Sequence, residues 1–411
     1  MLRSFTKDPT KLMNLKEGTL KGLAITPPQR VDKPTYEIVG PVERYDMRDY
    51  TYSQISLKPG TPNYKEYYSR HPQQEAIDDD MRKRADKSGA ERLQKDAVNE
   101  HIALSGFYGT MAVSPPKVVG SFKKMPLHPP GRLDVVKLDL DPEKIAIKLK
   151  AFALHLGAFR VGITKLNQDW VYTHNNAPWG GPVDMDYENI LCMAFAQSPF
   201  MTDTLDGFAE NFEVGWMYSY ASYISIIIAN FIRNLGWRAR PLPAFNAPYI
   251  VPPVFVDAGI GEFGRCGYTI SKEVGNNWRP GAVATDMPLA DDRPVDFGIQ
   301  DFCEKCGICA EQCPPGAIPK GRNAKTVVRG VRRWQVDDDK CYRYWTTIGH
   351  ACGVCQTVCP WSHHTNLFHK AVRETAERFQ SLRTLLIKGE EIFYKDKRGP
   401  EPKWMTDDIF E

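Results

Sequence analysis

The sequence predicts an α/β protein with a ferredoxin-like domain carrying two [4Fe–4S] clusters, and three observations carry that expectation. Eight of the ten cysteines fall in two runs between 303 and 359, each run ending in Cys-Pro. From residue 141 onward, helical periodicity alternates with short apolar segments that read as buried strands. At 411 residues the chain is too long for one core, so two or three domains are expected.

The first run is Cys303-x2-Cys306-x2-Cys309-x3-Cys313-Pro314, and the second is Cys341-x10-Cys352-x2-Cys355-x3-Cys359-Pro360. This is the spacing of a two-cluster ferredoxin, in which three cysteines of one run and the last of the other hold each cubane. One cluster is therefore assigned to Cys303, Cys306, Cys309 and Cys359, and the other to Cys341, Cys352, Cys355 and Cys313. The proline after each fourth cysteine has no amide to donate and turns the chain away. Ten cysteines in 411 residues are too few for a disulfide framework of the small secreted kind. Structural zinc would pair two-cysteine knuckles and leave the third and fourth cysteines unexplained. The insertion 314–340 carries Lys320, Arg322, Lys325, Arg329, Arg332 and Arg333, and reads as a solvated stretch that offers a docking patch.

Before these runs, residues 1–130 are rich in proline, charge and tyrosine without sustained periodicity, and are expected to cover or line another part. A clear helix begins at Asp141, which can cap it, with Pro142 at the first position and Glu143 at the positive end. Ile145, Leu149, Phe152 and Leu156 mark its inner face, and Gly157 is its expected C′ residue. His155 on that helix reads as a bonded core histidine. Segments 158–164 and 190–196 read as buried strands, with Cys192 acting as a small hydrophobe. A long helix is expected over 214–234, with Tyr220, Ile224, Ile227 and Phe231 inward and Gly236 closing it. Segments 238–243 and 249–256 read as strands around a loop carrying Asn246.

Gly259-Ile260-Gly261-Glu262-Phe263-Gly264 matches G-x-G-x-x-G literally, but no amphipathic helix opens after it. A dinucleotide site needs one, so the segment reads instead as a tight glycine loop where the backbone approaches something flat or bulky. A last amphipathic helix is expected after Asn366, with Phe368, Val372, Phe379 and Leu382 inward and Gly389 as its stop. The domains are thus placed at 1–130, 131–295, 296–365 and 366–411, the last being a helix and tail.

Net charge is +3, which gives no general argument for nucleic acid or an anionic membrane. The longest apolar run, Ile224–Ile232, is too short to span a bilayer. At Arg3-Ser4-Phe5-Thr6-Lys7 there is no second arginine and no apolar stretch behind it, so no signal is read and a cytoplasmic protein is expected. The alternative is an exported, membrane-associated protein whose leader has been removed.

The run from Arg160-Val161-Gly162-Ile163 through GIGEFGRCGYTI, PVDFGIQDFCEKCGICAEQCPPGAI and HACGVCQTVCPW resembles the cobalamin-dependent reductive dehalogenases over roughly 140–365. The resemblance implies a nitroreductase-like cobalamin-binding core at 131–295, fed with electrons by the ferredoxin-like part. It implies base-off cobalamin, and no D-x-H-x-x-G occurs in the sequence. A tyrosine proton donor, an asparagine and a basic partner are implied too, placed by spacing on Tyr220, Asn246 and Arg279, with Tyr218 and Tyr223 as alternatives on the same helix. Trp345, His350 and Tyr249 are the expected cobalamin contacts. The implied reaction replaces halogen by hydrogen in an organohalide. Electrons are expected from a separate ferredoxin or flavodoxin, since no flavin domain or further cluster motif is seen. Two other readings stand beside it: a relative of epoxyqueuosine reductase acting on tRNA, and a plain ferredoxin-type electron carrier. The tRNA enzymes look to an aspartate proton donor, where this chain has tyrosine.

Overall fold

The computed structural model describes residues 29–95 and 137–400, apart from 176–179, 206, 244–246, 365 and 395–398, together with residue 402. The chain begins with two short strands, β1 (Gln29–Arg30) and β2 (Glu37–Ile38), and three helices, α1 (Thr51–Ile55), α2 (Pro62–Arg70) and α3 (Pro72–Lys95). Then follow α4 (Pro142–His155), β3 (Arg160–Lys165), β4 (Asn189–Ala196), α5 (Pro199–Thr202), α6 (Phe208–Asn234), β5 (Ala239–Pro243) and α7 (Val251–Asp257). The hairpin β6 (Glu262–Phe263) and β7 (Thr269–Ile270) leads to β8 (Trp278–Thr285) and β9 (Val295–Asp296). The cysteine-bearing part holds α8 (Ile299–Cys306), α9 (Ile308–Glu311), β10 (Thr326–Val328), β11 (Val331–Arg333), α10 (Asp338–Ile348) and α11 (Val354–Thr357). Two helices close the chain, α12 (Leu367–Arg378) and α13 (Arg383–Phe393).

The centre is an antiparallel four-stranded sheet in the order β3-β4-β8-β5. Successive side chains of a strand point to opposite faces, and β4 uses both. Leu191, Met193 and Phe195 meet α4 and α6, whereas Ile190, Cys192 and Ala194 meet Trp170, Tyr249, Val254 and Phe255. That double burial is why β4 reads as an unbroken apolar run. Asp141 caps α4 by accepting from the amides of Glu143 and Lys144, and Gly157 takes the left-handed conformation at its end.

The described part of the N-terminal region is stitched into the rest. β1 pairs with β9, so the boundary expected between 295 and 296 falls inside a paired strand, and β2 pairs with β11 to complete a three-stranded sheet. Four expectations are corrected. Segment 249–256 is not a strand: only Tyr249 bridges to Val171, and α7 starts at Val251, because Pro252 and Pro253 suit a first helical turn that needs no amide donors. His155 is exposed rather than a bonded core residue. The glycine loop approaches the chain itself: a Cβ on Gly261 would lie 2.1 Å from the Ile270 carbonyl oxygen, and one on Gly264 would lie 2.4 Å from Ile270 Cδ1. Finally, the C-terminal stretch folds as two helices, with Phe368 and Phe379 65% and 53% exposed and Gly389 inside α13. There the buried positions are His369, Arg373, Ala376, Arg383 and Ile387.

Candidate active site

The first cysteine quartet surrounds a cavity lined by Cys303, Cys306, Cys309 and Cys359, with Cys266 and Cys355 also on its wall. Two buried charged side chains hold the loop in place. Glu262 accepts from the amides of Phe297 (2.6 Å) and Ile299 (3.0 Å) and so caps α8, which carries Cys303 and Cys306; burial pushes its carboxyl up to about 7. Arg265 donates to the carbonyl oxygens of Cys303 (3.0 Å), Glu304 (3.2 Å), Pro319 (2.9 Å) and Gly321 (2.9 Å). None of the ten cysteines forms a disulfide. Among the described residues, no three His, Cys, Asp or Glu side chains converge on one metal ion. A single zinc would draw its sulfurs to about 2.3 Å from one centre. Thiols spread around a wider hollow fit a cubane, and the buried indole N–H of Trp361 on the same wall has no protein acceptor.

The second quartet lies beside it. Cys341 sits on α10, with Cys352 and Cys313 among the groups acting on its thiol, and burial pushes that thiol up to about 12. Cys355 on α11 is near Cys341, Cys352 and Cys313. Cys359, by contrast, acts on Cys303 and Cys309. Each run therefore lends its last cysteine to the neighbourhood of the other. On that geometry, Cys359→Ala is expected to lower iron and sulfide toward the content of one cluster; wild-type content in this variant would refute the pairing.

Arg279, on β8, lies against the second quartet. Its Nη1 donates to Gln197 Oε1 (2.7 Å) and to the Trp278 carbonyl oxygen (3.1 Å), and its Nη2 reaches Gln356 Oε1 at 3.3 Å. Gln356 follows Cys355 directly and also donates to Gln197 (2.6 Å), so a buried amide pair fixes the guanidinium to the cluster loop. The guanidinium stands 5.5 Å from the centroid of the Tyr218 ring.

Tyr220 is elsewhere, and the expectation that it joins Arg279 is corrected. Its hydroxyl donates to the Leu156 carbonyl oxygen at 2.7 Å, and its ring packs edge-on to Phe195 within the helix-side core. Two residues apart on a helix means about 200° of rotation, so Tyr218 and Tyr220 cannot share a face. Tyr223, the other alternative, is exposed. Asn246 lies outside the described residues.

Of the expected cobalamin contacts, Trp345 on α10 packs against Tyr52 and Tyr342, with ring centroids 5.5 and 5.9 Å away. His350 is partly buried, and its Nδ1 lies 2.7 Å from the Ala351 carbonyl oxygen. Tyr249 is placed in the sheet core rather than with its ring on an open wall, because its bridge to Val171 draws the ring among Val254, Phe255 and Trp278.

Sequence reasoning missed a wall of tyrosines facing Arg279. Tyr268 exposes 48% of its surface, yet burial raises its phenol well above the ordinary value, followed by the effects of Cys355 and Cys341, while Arg279 opposes the shift. A ring that is accessible and yet enclosed by protein lines an internal hollow. Tyr50 is under the influence of Tyr172, Tyr268 and Tyr218, which places the N-terminal region on the same hollow. Tyr52 bridges Tyr50 and Tyr342 at 5.0 and 4.5 Å. Around this space several buried polar atoms have no protein partner: Arg279 Nε, Gln197 Nε2 and Trp345 Nε1. Buried polar groups are ordinarily bonded, and these fit a large ligand with a polar rim.

Comparison with known proteins bears on both parts. The 4Fe-4S dicluster domain family matches residues 302–362. The chain is 30% identical over 303 residues to tetrachloroethene reductive dehalogenase of Sulfurospirillum multivorans, covering 64% of this chain and 60% of that protein. It is 30% identical over 285 residues to epoxyqueuosine reductase of Salmonella typhimurium, covering 58% of this chain and 69% of that one. Among solved structures, a reductive dehalogenase described as suggesting a mechanism for B12-dependent dehalogenation superposes with a TM-score of 0.73 at 24% identity, over 92% of this chain and 51% of its own. That likeness shows the fold. The chain thus spans about 60% of the Sulfurospirillum protein and about half of the solved one. Among the described residues no helix is long and apolar enough to cross a membrane.

Proposed function

The chain belongs to the cobalamin-dependent reductive dehalogenase family, to which epoxyqueuosine reductase is related, and from that premise we propose that it replaces halogen by hydrogen in an organohalide. The family's cofactors are cobalamin and two [4Fe–4S] clusters. The first cluster is proposed on Cys303, Cys306, Cys309 and Cys359, and the second on Cys341, Cys352, Cys355 and Cys313. Trp345 and His350 are the proposed cobalamin contacts. When bound, cobalamin supplies a strongly reducing metal for cleavage of the carbon–halogen bond.

The observation that carries the reading is the Tyr218–Arg279 pair, tied through Gln356 to the loop of the second quartet. Removing halide and adding hydrogen takes two electrons and one proton. Tyr218 holds that proton on its hydroxyl. Arg279 is permanently charged and stabilises the phenolate left behind in an apolar pocket. Gln197 and Gln356 keep the guanidinium in place, and the wall of Tyr50, Tyr52 and Tyr268 excludes water. Asn246 keeps its proposed part in holding the substrate or the departing halide. An electron carrier alone has no use for a tyrosine–arginine pair in an enclosed hollow, and a tRNA reductase of the related kind looks to an aspartate proton donor.

The test is anaerobic reconstitution with cobalamin, followed by halide release from tetrachloroethene and other chlorinated and brominated organics. Cobalt uptake with iron in about eightfold excess, and halide release that needs the corrinoid, are expected. A protein that takes up no cobalt ends this reading.

A cytoplasmic ferredoxin or flavodoxin is the proposed electron donor, with eight thiolates calling for a reducing compartment. The basic insertion is narrower than its sequence suggests. Arg333 faces inward, where burial lowers its pKa and Asp338 opposes the shift; Arg329 stacks on Tyr45 at 4.2 Å; and Lys325 stacks on Trp334 at 4.2 Å. Lys320, Arg322 and Arg332 are exposed, and Lys325 of the same insertion lies near Cys303. Reversing Arg322 and Arg332 to Glu is expected to slow reduction by the protein donor and spare a small chemical reductant. Equal slowing by both would refute docking there.

A further inference from the structure

The cavity of the first quartet carries more sulfur than one cubane needs. Six thiols line it. Four are the proposed ligands, Cys355 belongs with the second quartet, and Cys266 is left over. It is buried, 5% exposed, on the turn between β6 and β7. Its position is fixed: Asn276 Nδ2 donates to Cys266 Sγ at 3.3 Å and approaches the Cys355 carbonyl oxygen at 3.5 Å. Asn276 Oδ1 in turn accepts from Ser362 Oγ at 2.8 Å, three residues beyond Cys359. The thiol therefore sits on the seam between the two quartets, its sulfur accepting from the Asn276 side chain and from the Tyr268 backbone amide, which leaves the S–H to find an acceptor of its own. A second donor belongs to the same cavity wall. Trp361 lines this cavity at 2% exposure, and its indole N–H has no protein partner.

We propose that the Cys266 thiol and the Trp361 indole donate hydrogen bonds to sulfur atoms of the first cluster and thereby raise its reduction potential relative to the second. Reduction adds negative charge that is shared by the cluster sulfurs, so a donor aimed at sulfur stabilises the reduced form more than the oxidised form. Arg279 and the tyrosine wall adjoin the second quartet, so the first is the outer one and receives the electron. The two donors make that receiving cluster easier to reduce. Neither side chain is a ligand.

The hydrogen bonds and the midpoint shift rest on the two-cluster assignment, and only the direction of electron flow rests on the proposed function, so failure to release halide leaves the midpoint test standing. The test is an EPR-monitored redox titration of the full chain with both clusters in place, the first cluster being the signal lost in Cys359→Ala. In Cys266→Ala and in Trp361→Phe, the first cluster's midpoint is expected to fall, moving the electron distribution toward the second cluster by about tenfold, or about 59 mV for a one-electron couple. The second midpoint stays in place. Cys266→Ser keeps a donor and is expected to retain most of the wild-type value. Unchanged midpoints in both substitutions overturn the proposal, as does iron falling to one cluster in Cys266→Ala, which would mark a ligand. Should Cys266→Ala not fold, the reduced wild-type protein decides: proton couplings at the first cluster that exchange in D₂O are expected, and their absence overturns it.

Discussion

Tyr218→Phe is expected to keep both clusters and cobalamin and to lose turnover by about 10²–10⁴, the usual contribution of a positioned general acid. The substitution removes one oxygen and leaves the ring under Arg279, so binding and packing are spared and proton delivery alone is lost. The control is two residues away. Tyr220→Phe removes the bond to the Leu156 carbonyl oxygen, so it is expected to cost about 1 kcal/mol of stability with turnover preserved. Arg279→Lys should fall between wild type and Tyr218→Phe, because a point charge replaces a planar fork that reaches Gln197 and Gln356 together. Halide release and denaturation of the three variants check this set. Loss of turnover in Tyr220→Phe with normal turnover in Tyr218→Phe would reverse the assignment.

The two-residue displacement shows where sequence reasoning stops. α6 was legible as a helix because its apolar residues repeat at helical spacing, and its end at Gly236 was legible because that residue adopts φ +86°. Which tyrosine points into the hollow was not legible, since Tyr218 and Tyr220 both sit in an apolar helix with no polar face to set the rotation. The cysteine runs were legible because cubane ligation imposes a spacing that no other use of cysteine reproduces. Their supports were not: Glu262 and Arg265 lie in a glycine-rich segment that read only as a tight loop approaching something flat or bulky. Their role appears only when β6 and β7 fold against α8. Tyr50 and Tyr52 were hidden for a similar reason. Nothing local in a Pro- and Tyr-rich stretch says that it pairs with residues almost 300 positions later, as the Tyr52 contact with Trp345 does.

Arg265→Met is the second large effect expected, and it separates structural support from ligation. The guanidinium is 2% exposed and donates to four carbonyl oxygens on the chain around the first quartet, Cys303 and Glu304 on one side and Pro319 and Gly321 on the other. Its face also rests 5.2 Å from the centroid of the Trp334 ring. Methionine can fill the space but donates nothing, so these carbonyls must find water or remain unbonded. Breaking a buried charged network by removing one partner typically costs about 3–5 kcal/mol. A cubane held by four thiolates is an anion, so the substitution also removes a buried cation beside it. The expected result is anaerobic unfolding at markedly lower denaturant, with loss of the first cluster before the second. No ligand has been changed, so added iron and sulfide should restore the first cluster in part, which they cannot do for Cys359→Ala. Stability within about 1 kcal/mol of wild type would show that water replaces the guanidinium at this seam, and that the first loop keeps its shape without a fixed charge behind it.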